Sequence, residues 1–408
     1  MSVATRRDEL PSLLLLPYPP DPASRQVLSA AYRPSLAAAL SRLRNSESRA
    51  TLIVAVACPV LHGQFARHKT LSWPEAQSLL AGIYALIAVV CSQLSIPTEA
   101  DGGPGSVDVT VVLVDHNREK RFQPDFHPVV EPNNTIVVDL ATFASAYYPW
   151  NYIFHARSEV GLEVYQTFLR LFEGRQTLRQ DQLVAVEGGI TLNVAPGSSC
   201  EATPQTATYP AVCLGGTFDH LHPGHKLLLT AAALLLRVPE KVSARSCQFI
   251  IGITGDEMLK KKKYAAYVQS WEDRARGVIA FLSLLLGLAP SGWKSGPRHE
   301  EQINDGDVRA VFRDGTISVQ CVEIQDPFGP TVTVQNIDAI VVSGETRSGG
   351  AAVNDRRTAK GWHPLEVFEV DVLDASEIQG STTESESFAT KISSTAIRQA
   401  RAQAEMSQ

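Results

Sequence analysis

The sequence is short of most features that announce a function. Its six cysteines, Cys58, Cys91, Cys200, Cys213, Cys247 and Cys321, are scattered, and no two form a CxxC pair. That speaks against a zinc site or a dithiol redox motif and fits a reducing compartment. Positive charge is not in excess: 37 Lys and Arg face 43 Asp and Glu, a formal net charge of −6. A general nucleic-acid binder is more often basic, so no nucleic-acid partner is expected. The apolar runs Ala81–Val90, Leu227–Leu236 and Val278–Ala289 fall short of the roughly 18–20 residues that span a bilayer and read as buried helices. Leu13–Leu16 stops at Pro17, too short for the roughly 7–15 residue core of a signal peptide. The expectation is a cytoplasmic protein with no membrane partner. No GxxxxGK[ST] loop occurs, so no P-loop kinase activity is expected.

What is present is ordinary in bulk: 408 residues, of which 44% are hydrophobic and 20% charged. That length suits about two domains. Residues 1–194 read as an α/β domain of their own. Thr51–Ala57, Val107–Val114 and Thr135–Leu140 are strand candidates. Helices are expected near Ser35–Leu43, from Ser72-Trp73-Pro74-Glu75 to about Gln93, and over Ser158–Phe172. His62, His68, His116, His127 and His155 are isolated, and no phosphate loop or metal spacing surrounds them. A structural or partner-binding role follows for this half. Residues 195–208 are polar and rich in Pro, Ser and Thr, which reads as a linker.

From Tyr209 strand and helix alternate, over residues 209–408. Strands are expected at Ala211–Leu214, Gln248–Thr254, Thr316–Ile324, Asp338–Ser343 and Leu365–Val372. Helices are expected at Pro223–Arg237, Trp271–Leu288, Gly350–Gly361 and Ser394–Gln403. This is the pattern of a Rossmann-like parallel sheet with helices on both faces. Pro290–Arg309 and Ala375–Thr390 read as surface insertions.

Four clusters in this half point to phosphate chemistry. Ala211–Leu229 reads AVCLGGTFDHLHPGHKLLL: a strand, a glycine turn, then a helix opening on His222-Pro223-Gly224-His225. Backbone N–H groups and the positive end of a helix dipole meet an anion in that geometry, and two imidazoles add donors. Lys260–Lys263 follow the next strand, where a lysine can hold phosphate as a point charge. Ser343–Arg357 offers Glu345, Thr346, Arg347, Asn354 and Arg357 at another strand end. Ser393-Ser394-Thr395 opens a last helix, with Arg398 one turn on.

LGGTFDHLHPGHKLLL, IGITGDEMLKKKKY, WEDR, QDPFGP, VVSGET, GGAAVN and ISSTAIR occur in that order from Leu214 to Arg398. In this the second half resembles the phosphopantetheine adenylyltransferases of eukaryotic and archaeal type, within the HxGH nucleotidyltransferase superfamily. Residues 1–194 look like the extra N-terminal region of a fungal-type member. The resemblance implies transfer of the adenylyl group of ATP to 4′-phosphopantetheine, giving dephospho-coenzyme A and pyrophosphate, with Mg2+ accompanying ATP. It implies catalytic roles for His225, His222, Lys260 and Lys262. Thr217, Gly216, Phe218 and Asp219 would bind the acceptor. Gly224, Glu345, Arg357, Ser393, Ser394, Thr395 and Arg398 would bind ATP. No metal ligand set is implied in the protein itself. Two alternatives remain: another HxGH enzyme acting on a pyridine mononucleotide or a phosphoalcohol, or a non-catalytic subunit. Docking to other coenzyme A-synthesising enzymes through residues 1–194 is a further expectation.

Overall fold

The computed structural model describes residues 10–20, 23–63, 68–117, 133–147, 149–190, 205–240, 245–287, 300–304, 306–371, 373 and 393–406. Two sheets organise these residues. The first has the order β4-β3-β2-β1-β5-β6 and is parallel throughout. Its strands are β1 (Ser12–Leu16), β2 (Ala50–Cys58), β3 (Val107–Asp115), β4 (Val138–Asp139), β5 (Ile153–Ala156) and β6 (Leu183–Val186). Leu13–Leu16, too short for a signal core, is the central strand, and all four leucines are at most 1% exposed. Such β-branched and leucine runs suit strands covered on both faces.

Helix α1 (Arg25–Leu43) begins well before the expected Ser35, with Ser24 as its cap and Pro34 inside it. The predicted strand Thr135–Leu140 shrinks to β4. Asp139 instead caps a short helix, α3 (Leu140–Ala146), by accepting a bond from the Thr142 N–H. Helix α2 (Trp73–Gln93) is long and apolar enough to cross a membrane by composition alone. It is buried instead, packed on α1, β3 and the first helix of the second half. Helix α4 (Glu159–Phe172) covers β5.

The second sheet contains β7 (Ala211–Gly216), β8 (Cys247–Thr254), β9 (Glu300–Asn304), β10 (Asp307–Phe312), β11 (Ile317–Ile324), β12 (Ala339–Ser343) and β13 (Glu366–Val370). Its order is β13-β12-β7-β8-β11-β10-β9. Five strands are parallel, as expected; β10 and β9 add an antiparallel edge. That edge corrects the reading of 290–309 as a mere surface insertion. Val308, Ala310 and Phe312 alternate into the core at 1% exposure or less, the period of a strand. Residues 290–299 and the expected insertion 375–390 lie outside the described residues. The helices are α5 (Pro223–Ala233), α6 (Asp256–Leu259), α7 (Trp271–Leu286), α8 (Arg347–Ala359) and α9 (Ser394–Met406).

The two halves are not beads on a string. One hydrophobic cluster runs through both, from Leu13 to Leu373. Trp73 Nε1 donates to the Ala231 carbonyl at 2.8 Å, and Tyr147 Oη to the Leu285 carbonyl at 3.1 Å. Arg313 donates to the carbonyls of Thr135 and Ile136. Most directly, Lys226 Nζ, 1% exposed, pairs with Asp108 on β3 and donates to the Val109 carbonyl at 2.8 Å. Of the expected linker, Thr206 is pinned to the first half: its N–H donates to Leu71 and its hydroxyl accepts from the Trp73 N–H. Residues 195–204 lie outside the described residues.

Candidate active site

Strand β7 opens the second sheet and pairs with β8 on one side and β12 on the other. The chain therefore changes direction beside β7, and in open α/β sheets the crevice at such a point takes the ligand. Three of the expected clusters share this carboxyl edge: the loop after β7, the lysine turn after β8 and the Gly344–Thr346 turn after β12.

The loop after β7 is tightly held. Phe218 and His220 both have positive φ, 53° and 45°, a conformation that non-glycine residues keep only when their surroundings impose it. Arg274, fully buried at the start of α7, donates from Nη1 to the Thr217 carbonyl at 2.7 Å and from Nε to the Gln269 carbonyl at 3.1 Å. Its Nη2 reaches Asp256 Oδ1 at 2.6 Å. Gln269 in turn donates its N–H to Asp219 at 2.9 Å and accepts from the His220 N–H at 2.7 Å. From α9, Ser394 Oγ donates to the Asp219 carbonyl at 2.8 Å, and Arg398 Nη1 pairs with the Asp219 carboxylate. Gly216 is needed for close approach: a Cβ there would lie 2.9 Å from the Phe218 ring.

Beyond the loop, His222 caps α5. Its Nδ1 accepts from the Gly224 N–H at 3.2 Å, which keeps the ring proton on Nε2. Pro223 fills the first helical position, where no N–H is required. A Cβ on Gly224 would sit 3.1 Å from the His222 ring. The rings of His222 and His225 stack with centroids 4.0 Å apart. Burial, then the nearby Lys226 and His220 cations, push His222 down to about 3. Burial and repulsion from His222 and His220 hold His225 well below the ordinary imidazole value. Both are neutral at pH 7; an incoming polyphosphate would favour their protonated forms.

The other expected residues divide into two groups. Thr217, Gly216 and Gly224 line the loop and helix start, half-buried. Lys260 and Lys262 are exposed on the turn after α6, with Lys260 paired to Glu257 at 2.7 Å. Tyr264, closing that turn, has φ 57°. Glu345 is exposed after β12, and Ser393, Ser394 and Thr395 stand at the start of α9. Four residues need correction. Arg357 does not face the crevice: it is fully buried, and its donors bind the carbonyls of His363, Thr331, Val334, Gln335 and Ile337. A guanidinium so committed has nothing left for ATP. Phe218 and Asp219 are also fully buried, one in the core and the other holding Gln269 and Arg398. Arg398, 3% exposed, is held by Asp219, the Lys263 carbonyl and Thr395 Oγ1. These three hold the loop and the start of α9 together.

Sequence reading missed His220, Gln269, Arg274, Lys226 and the N-terminal Asp101 and Asp108. Only Arg274 carried a signal, as the last residue of WEDR. The others act through pairings 47 to 300 residues apart, which no local pattern shows.

Residues 213–400 match a family described as cytidylyltransferase-like, and residues 1–192 match a domain of unknown function. A phosphopantetheine adenylyltransferase of Saccharomyces cerevisiae is 35% identical over 190 residues, 47% of this chain and 48% of that protein. An uncharacterized protein of Schizosaccharomyces pombe is 35% identical over 187 residues, 46% of each chain. The match thus spans about half the length of these two fungal relatives. A phosphopantetheine adenylyltransferase of Pyrococcus horikoshii is 30% identical over 165 residues, 40% of this chain but 80% of the archaeal protein. With most of an archaeal member matched, and the loop after β7 at the crevice of its sheet, the chain belongs to the phosphopantetheine adenylyltransferase family.

Proposed function

We propose that the protein transfers the adenylyl group of ATP to 4′-phosphopantetheine in the cytoplasm, the penultimate step of coenzyme A synthesis. The observation that carries this reading is the HPGH helix start. There two adjacent neutral imidazoles meet at the start of α5, at the crevice beside β7. A phosphate oxygen of the acceptor attacks the α-phosphorus of ATP. The bond from the α-phosphorus to the bridging oxygen breaks, and pyrophosphate leaves with that electron pair. The nucleophile is already an anion, so no general base is needed. Positioning and neutralisation of charge carry the reaction.

In this reading Thr217 and the backbone at Gly216 orient the acceptor phosphate. His225 donates to the α-phosphoryl oxygens as charge develops, with His222 beside it. Lys260 or Lys262 holds the transferred group or the acceptor phosphate. Gly224, Glu345 and the Ser393–Thr395 helix start receive ATP. Among the described residues no group of three or more His, Cys, Asp or Glu side chains could hold a metal ion. Mg2+ is proposed to enter with ATP, as part of that substrate. Docking of other coenzyme A-synthesising enzymes on the N-terminal half is a further part of the proposal, tested by pull-down with the full chain.

The test is pyrophosphate release by the full chain with MgATP and, in parallel wells, 4′-phosphopantetheine, nicotinamide mononucleotide or phosphocholine, the last also with CTP. Release with 4′-phosphopantetheine alone is expected. Release only with another acceptor would move the protein to a different substrate within the superfamily.

A further inference from the structure

The archaeal relative is matched over 80% of its length by 165 residues of this chain. Far fewer than 192 residues of it lie outside the match, so the family core works without a counterpart of the N-terminal half. Here that half reaches into the site. The segment before β3 lies against the loop after β7: the Ala100 N–H donates to the Leu221 carbonyl at 2.9 Å. Next to it, Asp101 Oδ2 meets His220 Nδ1 at 2.9 Å, Gln269 Nε2 at 3.1 Å and Arg401 Nη2 at 2.8 Å. One carboxylate thus joins the loop, the segment before α7 and the last helix.

We infer that Asp101 is a positioning residue of the active site, holding the Thr217–His220 loop in its left-handed turns through His220. The inference rests on the adenylyltransferase reading for what that loop does. Its geometry is specific. His220 is 1% exposed, and its Nε2 meets the Tyr267 carbonyl at 2.8 Å. A carbonyl only accepts, so Nε2 carries a proton. Nδ1 faces a carboxylate, which also accepts. Both nitrogens are therefore donors, and the buried ring is an imidazolium. Burial opposes that charge, but Asp101, the Tyr267 carbonyl and Asp219 outweigh it and hold His220 above the ordinary imidazole value. Asp101 is correspondingly lowered: burial opposes it, and His220 and Arg401 outweigh burial. The groups facing the ring are Asp101 and Asp219, 3.7 Å away; Arg401 and Arg398 share those carboxylates, and His222 and His225 follow in the next turn. Losing the Asp101 charge frees a proton from His220, removes one donor and loosens two strained residues that lead directly into the HPGH helix.

The test uses the full chain with labelled histidines and the variant Asp101→Asn. In the wild type at about pH 7, His220 is expected to show both ring nitrogens protonated, titrating above the ordinary value near 6.5. In Asp101→Asn that midpoint falls, and kcat drops roughly tenfold or more with the KM of each substrate little changed, as expected of misplacement. The alkaline limb of kcat moves down in pH with the His220 midpoint, which a merely structural loss would not produce. Asp101→Glu recovers part of kcat. A neutral His220 in the wild type overturns the inference, and so does unchanged kcat in Asp101→Asn. If that variant does not fold, the wild type decides: an alkaline limb tracking the His220 midpoint supports the inference, and a limb independent of it overturns it. Failure of the reaction itself looks different, as a wild type silent with every acceptor while the histidine spectrum still reads the Asp101 contact.

Discussion

Strands β1 and β7 hold the same place in their two sheets. Each is flanked by the next strand of its half on one side and by a much later strand on the other. Topology alone would put a ligand crevice at both carboxyl ends. The residues that follow separate them. Strand β7 ends on two glycines, and two left-handed residues and a helix opened by His222 follow. After β1 come Pro17, Tyr18, Pro19 and Pro20, with no glycine. Three of those four residues have no N–H to offer an anion, and the Pro17 carbonyl is taken by Tyr32 Oη at 2.8 Å. The fold supplies a position; glycines, donors and a helix end turn that position into chemistry. The N-terminal sheet serves the second crevice by bracing it.

The sharpest way to break this comparison is to cut the brace. Lys226 follows His225 directly, and its buried ammonium is met by Asp108 of β3. Removing one partner of a buried pair costs about 3–5 kcal/mol. Lys226→Met should therefore lower stability by that order in denaturant unfolding. The double variant Lys226→Met/Asp108→Leu should lower it much less, because no lone charge remains. Equal losses in single and double variants would show that the pair does not couple the halves.

Next in size is the chemical difference itself. His225→Ala should reduce kcat by about 10²–10³, the usual effect of losing one preorganised donor at a developing charge. Its melting temperature should stay close to that of the wild type. Turnover within about threefold of wild type would leave the HPGH helix start as a mere cap and erase its contrast with the end of β1.

How much of this was legible in the sequence follows from the range of each interaction. The β7 turn, α5 and the alternation of strand and helix were readable because glycines, an apolar run and a helix start lie within nineteen residues of one another. Strand β1 was not, because five residues, four of them leucine, followed by a proline carry no periodic signal. Helix α1 was cut short by Pro34, which the structure tolerates inside it. Arg357 and Arg398 lay in motifs suited to phosphate, yet burial turned both inward, and burial is a tertiary fact. Lys226 shows the same limit: a lysine on an apolar helix face reads as solvated until Asp108, 118 residues away, is placed against it.

A smaller effect should appear in acid. His222 titrates at about 3 in the folded chain against 6.5 when unperturbed. Its folded pKa is lowered, so the unfolded chain takes the proton first, and stability falls as pH drops from about 6.5 toward about 3. His222→Asn keeps a side-chain oxygen to cap α5 and removes this titration. Its melting temperature should decline less steeply across that window. Each kcal/mol recovered would raise it by roughly 2–4 °C. A slope identical to wild type would assign the acid sensitivity to other groups.

The smallest expected effect is at β1, and it tests the comparison from the other side. If the prolines leave that sheet end without an anion site, calorimetric titration with MgATP should find one binding event per chain. Tyr18, 40% exposed beside those prolines, is the side chain best placed to touch a ligand there. Tyr18→Ala should leave the ATP Kd within about twofold, the usual reach of a surface substitution away from a site. A second binding event that Tyr18→Ala abolishes would mean that both carboxyl ends bind nucleotide. The difference between the two first strands would then be one of degree rather than of kind.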